Sequence, residues 1–276
     1  MLTRLTGCKI LVGSLCLVFA GAFSAQAQEA PDSEEERLAK RLANPVAALI
    51  SVPFQFNYDS DIGPADDGER VTLNIQPVIP IKLNNDWNII SRTIVPVIWQ
   101  DDIFPGAGDQ FGIGDVLQSF FFSPSAPTAG GIIWGAGPVF RLPTATDDLL
   151  GAEKWGLGPS AVALRQAGGW TSGALVNHVW SVAGDDDRAD INATFLQPFV
   201  SFTNDDAWTF ALQTETVYDW EGEEWAVPIN IAVSKLLAIG GLPISIQGGL
   251  RYWAESADSG PEDLGFRLAV TFLFPR

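Results

Sequence analysis

From Val46 onward the chain alternates apolar and polar residues in stretch after stretch. Ile50, Val52, Phe54, Phe56 and Tyr58 are separated by Ser51, Gln55 and Asn57, the period of a strand with one apolar face. The same period runs through Val71, Leu73, Ile75, Ile79 and Ile81, and through Trp208, Phe210, Leu212, Tyr218 and Trp220. It returns in Ile244, Ile246, Leu250 and Tyr252, and in Leu264, Phe266, Leu268, Val270, Phe272 and Phe274. About 12 segments of this kind begin near residues 46, 70, 86, 112, 131, 155, 170, 189, 207, 225, 242 and 263. From Val46 onward no window shows sustained helical spacing, and no run approaches the length of a spanning helix. The pattern predicts an all-β fold over 46–276.

Alternation by itself fits a soluble sandwich or a membrane barrel, since both need one apolar face per strand. The connections discriminate. Those after the odd-numbered segments carry the acids, among them Asp59, Asp61, Asp66 and Asp67, then Asp101, Asp102 and Asp109, then Asp147, Asp148 and Glu153. Asp185 to Asp187, Glu221, Glu223 and Glu224, and Glu255, Asp258 and Glu262 complete the set. The intervening connections are mostly tight, as in Asn84-Asn85-Asp86, Ala167-Gly168-Gly169 and Gly240-Gly241. Long loops at one rim and tight turns at the other predict an antiparallel up-and-down transmembrane β-barrel of about 12 strands in the outer membrane, with the tight turns periplasmic.

Tryptophans at segment ends agree with a bilayer. Trp87 and Trp99 bracket one segment, Trp208 and Trp220 another, and Trp253 closes a third. These five are expected to form the interfacial girdles, and the rise from Trp208 to Trp220, tilted about 40°, is roughly 30 Å. Prolines cut across the pattern: Pro53, Pro77, Pro96, Pro138, Pro159, Pro198 and Pro228 fall inside segments, where each removes a ladder donor. Bulges, or segments split in two, are expected there.

The first 27 residues read as a signal peptide: Arg4 and Lys9 precede the apolar run Ile10 to Phe23, and Ala25-Gln26-Ala27 is a small-x-small cleavage site. Its removal would take both cysteines, Cys8 and Cys16, and shift the formal charge from −17 to −19. Residues 28–45 are polar and partly helical in pattern, predicting a short periplasmic arm. The excess of 33 acids over 16 bases speaks against nucleic acid as a partner.

A family resemblance rests on several runs: Leu42-Ala43-Asn44-Pro45, Gln76-Pro77-Val78-Ile79-Pro80, Gly114-Asp115, Gly137-Pro138, Pro143-Thr144-Ala145-Thr146, Gly158-Pro159 and Gln197-Pro198-Phe199. Together they resemble the outer-membrane barrels catalogued under the MetA pathway of phenol degradation, themselves distantly similar to fatty-acid and aromatic-hydrocarbon channels. The resemblance implies uptake of small apolar or aromatic solutes, no chemistry and no cofactor, and carries over no binding residues. The last strand, with Arg267, Phe272 and Phe274, also resembles the signal read by the barrel-assembly machinery, although Pro275-Arg276 follows where an aromatic residue is usual.

Taking the apolar parity as facing outer-membrane lipid, Arg92, Arg141, Arg251 and Arg267 point inward, with Gln76, Asn74, Gln213 and Glu215 as neighbours. Guanidinium groups are costly in hydrocarbon, so an interior network is expected, either a structural plug or a solute-selecting constriction. The sequence has no nucleophile elbow, phosphate loop or metal-spaced His or Cys cluster. The expectation is therefore a channel for small solutes, not an enzyme. Two alternatives stand beside it: a lipid hydrolase using His178, the one histidine, and a structural or adhesive barrel with an acidic outer rim.

Overall fold

A computed structural model of the chain describes residues 33–257 and 259–275. The proposed signal peptide and residues 28–32 of the proposed arm lie outside the described residues. The described chain opens with a helix, α1 (Glu34–Leu42), capped by the Ser33 hydroxyl, which accepts from the Glu36 amide at 3.0 Å. Fifteen strands follow: β1 (Ile50–Ile62), β2 (Gly68–Ile75), β3 (Val78–Lys82), β4 (Trp87–Asp101), β5 (Gln110–Ile113), β6 (Val116–Pro124), β7 (Ile132–Leu142) and β8 (Lys154–Ala167). Then come β9 (Trp170–Gly184), β10 (Asn192–Thr203), β11 (Trp208–Thr214), β12 (Thr216–Asp219), β13 (Glu224–Ile239), β14 (Leu242–Glu255) and β15 (Pro261–Phe274).

Three pairs, β2 with β3, β5 with β6 and β11 with β12, are the two halves of single interrupted staves, which leaves twelve staves in all. Each is antiparallel to its sequence neighbours, and β15 pairs with β1 from Leu273 opposite Ser51 to Phe266 opposite Tyr58. The sheet therefore closes on itself and has no edge to protect. The Gly168-Gly169 and Gly240-Gly241 turns take positive φ at both residues, 55° and 83° and then 60° and 82°. That is the tight two-residue hairpin whose twist matches the strands it joins.

All three interruptions sit beside prolines. Gln76 and Pro77 separate β2 from β3, with the Gln76 amide donating to the Pro53 carbonyl on one side and the Thr93 amide to the Pro77 carbonyl on the other. Gly114 and Asp115 separate β5 from β6, and the Gly114 amide donates to Pro96. Glu215 separates β11 from β12, flanked by Pro198 in β10 and by Pro228, where the β13–β14 register shifts. Pro138 and Pro159 face each other across β7 and β8. The missing donors fall at mid-height, so the ladder yields there, besides the register shifts at Ser60 and Trp155 toward the long-loop rim.

The two faces of the sheet differ sharply. On β15, Leu268 is 63% exposed on the outer wall while neighbouring Arg267 is 2% exposed on the inner one. The outer wall carries Trp87 and Trp134 in edge contact at 5.8 Å, with Trp170 and Trp208 at the same tight-turn rim. Trp99, Trp155, Trp220 and Trp225 lie toward the long-loop rim. Trp253, expected in the girdle, is a correction: its side chain turns into the lumen, because β14 presents Leu250 and Tyr252 outward and the odd residues inward.

The residues read as a periplasmic arm also behave differently from expectation. α1 is seated inside the tight-turn mouth, where Leu38 and Ala39 pack with Leu49, Ala207, Leu236 and Leu273. The Gln166 side chain in β8 donates to the Lys40 carbonyl at 2.8 Å. Past the helix, Val46 packs against the inward residues Ile90, Phe121, Val162, Leu164 and Leu175. The inner wall near this mouth is apolar, and a helix with an apolar stripe has somewhere to bury it.

Candidate functional site

At mid-barrel, parity brings charged side chains from several staves to one level. Arg267 in β15 donates from both terminal nitrogens to the two carboxylate oxygens of Glu215, at 2.9 and 2.7 Å, and from Nε to the Asn57 side-chain oxygen at 2.7 Å. This is the forked guanidinium–carboxylate pairing that fixes geometry as well as charge. Arg251 lies 3.2 Å from Asp59 and 3.6 Å from Glu215, with its guanidinium 4.5 Å from the centre of the Trp253 ring. The Trp253 ring nitrogen donates to the same Asp59 carboxylate at 2.9 Å. Arg92 donates to the Gln76 side-chain oxygen at 3.1 Å and makes no ion pair among the described residues. Together these residues form a belt across the lumen.

Two segments fold into the barrel on either side of the belt. At the tight-turn end stands α1. At the long-loop end the connection 143–152 folds inward as a strap. Asp115, at the β5–β6 interruption, accepts from the Ala152 amide at 2.8 Å and the Ala145 amide at 3.4 Å while pairing with Arg141 at 3.1 Å. Thr146 and Leu150 lie so near Gly112 that a Cβ there would stand 2.1 Å from the Thr146 hydroxyl. Gln100 links strap and wall, donating to Gln110 and to the Leu149 carbonyl and accepting from Arg70. A neighbouring loop braces the strap from outside, since Arg188 donates to the carbonyls of Asp148 and Gly151. In that loop Asp190 accepts from the Ser181 hydroxyl of β9 at 2.9 Å, and Lys154 of β8 stands 3.2 Å away. The hydrogen bond first, and the lysine second, hold the Asp190 carboxyl below its usual range.

Between α1 and the belt the lumen keeps a cavity of about 400 Å³. Its wall is mixed: Phe195, Phe199, Ile94 and Leu236 supply apolar surface, and Arg92 and Glu215 supply charge. A smaller cavity of about 150 Å³ lies against residues 41–49 and shares Arg92 and Gln76 with the larger one.

Of the eight lumen residues expected from parity, the structure gathers Arg92, Arg251, Arg267, Glu215 and Gln76 at the belt and puts Asn74 and Gln213 on the cavity wall. Arg141 stands apart from them at the strap. Asp59 and Asp115 were not singled out, and Asp59 had been grouped with the first acidic loop. Yet Gln55, Asn57 and Asp59 continue one parity, and that signal places Asp59 inside, where it is 6% exposed. His178 belongs to the outer wall. Its Nδ1 lies 2.7 Å from the Thr194 hydroxyl, which also accepts from the Trp220 ring nitrogen, and its ring stacks on Trp180 at 4.0 Å. No group of three or more His, Cys, Asp or Glu side chains among the described residues is placed to hold a metal ion.

No protein-family model matches this chain, and no curated protein matches it. Solved structures do. The COG4313 outer membrane channel from Pseudomonas putida F1 superposes with a TM-score of 0.65 at 13% identity, over 82% of this chain and 96% of that one. The NanC porin superposes with a TM-score of 0.50 at 13% identity, over 81% and 98%. Outer membrane phospholipase A from Escherichia coli reaches 0.45 at 11% identity, over 81% and 96%. At these identities the likeness is one of fold, and the fold is that of an outer-membrane β-barrel.

Proposed function

We propose that the protein is a narrow outer-membrane channel passing small apolar or aromatic solutes, with the belt as its constriction. The observation that carries this reading is the cavity between α1 and the belt. A barrel plugged purely for strength would fill that space, whereas this one holds about 400 Å³ walled partly by phenyl and aliphatic groups. A twelve-stave bore lies between 8-strand barrels packed with side chains and 16-strand open porins, which suits single small molecules and not oligosaccharides. The sequence resemblance to phenol-degradation barrels and the fold likeness to the P. putida channel support the same direction. The hydrolase alternative has less behind it: the hydroxyl beside His178 belongs to Thr194 and is shared with a tryptophan.

The test is flux into liposomes carrying the refolded barrel, comparing phenol with a disaccharide and repeating both with Arg92→Ala. Phenol flux above that of empty liposomes, changed by Arg92→Ala, with the disaccharide excluded, is expected. Absence of flux from protein shown to be folded would overturn the channel in favour of a structural barrel.

A further inference from the structure

The belt does not balance. Three guanidinium groups, Arg92, Arg251 and Arg267, surround Glu215, and the second carboxylate at this level is Asp59. Both Glu215 oxygens are taken by Arg267 and Arg251, and Asp59 is shared between Arg251 and Trp253. Arg92 is left with the neutral Gln76 amide as its side-chain partner. A guanidinium carries five N–H donors and does not shed its proton in proteins, so the belt holds at least one uncompensated positive charge with donors to spare, and Asp59 also faces Arg70 across β1 and β2. An interior charge without a partner is costly, and a mobile anion is the simplest way to supply one.

Arg92 also borders the larger cavity. Phe195, Phe199 and Leu236 line the same space, with Ile94 two residues along the strand from Arg92, apolar surface that an inorganic ion would leave uncovered. A cavity of about 400 Å³ falls in the range of small-molecule sites, and its mixed lining sets phenyl and aliphatic surface among amides and hydroxyls such as Gln55, Gln197 and Thr209. We propose that this chamber is a binding site for a small organic monoanion, an aromatic carboxylate of benzoate size, with the carboxylate on Arg92 and the ring against Phe195 and Phe199. A second negative charge is disfavoured by Glu215, which borders the same space. The exposed carboxylates of the long-loop rim lower the local concentration of anions, but salt screens them over about 10 Å.

The site deepens the channel reading by naming a substrate class, and rests on that reading only for access from solution. Binding can be measured separately, by titration calorimetry on the full barrel refolded in detergent, with heat-dependent gel mobility as the folding control. The probes are benzoate, benzyl alcohol as its neutral counterpart, and acetate as the headgroup without the ring. Benzoate is expected to saturate one site about tenfold more tightly than either, the ratio a single charge-assisted contact or a buried ring supplies. Gln76→Glu places a carboxylate beside Arg92 with almost no change of shape. It should weaken benzoate by about tenfold or more and leave benzyl alcohol unchanged. Phe199→Ala should weaken benzoate and spare acetate. If Gln76→Glu disturbs folding, Arg92→Gln removes the surplus charge instead and predicts the same loss.

Equal affinity for benzoate and benzyl alcohol, equal affinity for benzoate and acetate, or benzoate binding indifferent to both variants would each overturn the site. Benzoate binding without flux of any solute would leave the site standing and overturn passage. Flux of phenol without benzoate binding would do the reverse.

Discussion

The two segments that fold into the barrel's mouths are held by different physics. At the tight-turn end α1 is held by apolar burial, Leu38 and Ala39 against Leu49, Leu236 and Leu273, with one side-chain hydrogen bond from Gln166. At the long-loop end the strap is held by directed polar contacts: Asp115 on two backbone amides and Arg141, Gln100 on a carbonyl, and Arg188 on two more. The first attachment depends less on salt and proton concentration, because its apolar contacts carry no charge, although α1 also buries Glu36 in an ion pair with Lys40 at 2.7 Å. The second answers to both. On the channel reading proposed above, a solute would meet one segment held by apolar contact and another held by electrostatics, with the charged belt between them.

The largest effect should come from the apolar side. Leu38→Asp exchanges a buried leucine for a carboxylate and should cost helix docking about 3 kcal/mol, roughly a hundredfold in the docked population. Limited trypsin digestion should then cut at Lys40 or Arg41 many times faster, and small-solute flux should rise. Unchanged cleavage would mean that the helix is not held by this cluster.

Asp115→Asn comes next. It removes the charge facing Arg141 and weakens the acceptor for Ala145 and Ala152, at a cost of about 2 kcal/mol to the strap. Hydrogen exchange at the Ala152 amide should accelerate roughly thirtyfold while the α1 amides keep their protection. Equal acceleration at both ends would erase the distinction between the closures.

Acid gives the smallest effect. Because Asp190 has its carboxyl depressed in the folded state, its contribution is present above the ordinary value of 3.8 and is lost as pH falls through the lower folded value. Below about pH 4 the brace from loop 185–191 should therefore slacken and Ala152 exchange should rise modestly relative to its intrinsic rate. Lys154→Ala should move that loss to higher pH. A strap indifferent to both changes would remove Asp190 from the account.

Most of the barrel was legible because membrane barrels repeat one rule on every stave. Parity located the twelve staves to within a few residues, the acidic loops identified one rim, and the same parity turned Arg92, Arg251, Arg267 and Glu215 inward. What the sequence hid came from exceptions to local rules. Trp253 sits at a segment end, like a girdle residue, but the parity of Leu250 and Tyr252 turns it inside, where its ring nitrogen meets Asp59, almost two hundred positions away. The 28–45 stretch has the composition of a free arm, and the apolar inner wall that seats its helix is assembled from strands far along the chain. The prolines were visible as a difficulty, but their meaning needed neighbouring staves side by side. Gln76, Asp115 and Glu215 stand at the interruptions that prolines permit, so the irregular ladder and the polar site coincide.

The central claim is that the lumen is a path closed at two independent points and narrowed by the belt. The most direct measurement is phenol flux into liposomes for the wild type, Leu38→Asp, Asp115→Asn and the double variant, each checked for a folded barrel. The account predicts that each single variant raises flux and that the double variant exceeds both while a disaccharide stays excluded by the belt. A double variant that is folded, has both segments released by protease and exchange criteria, and still passes no phenol would contradict it.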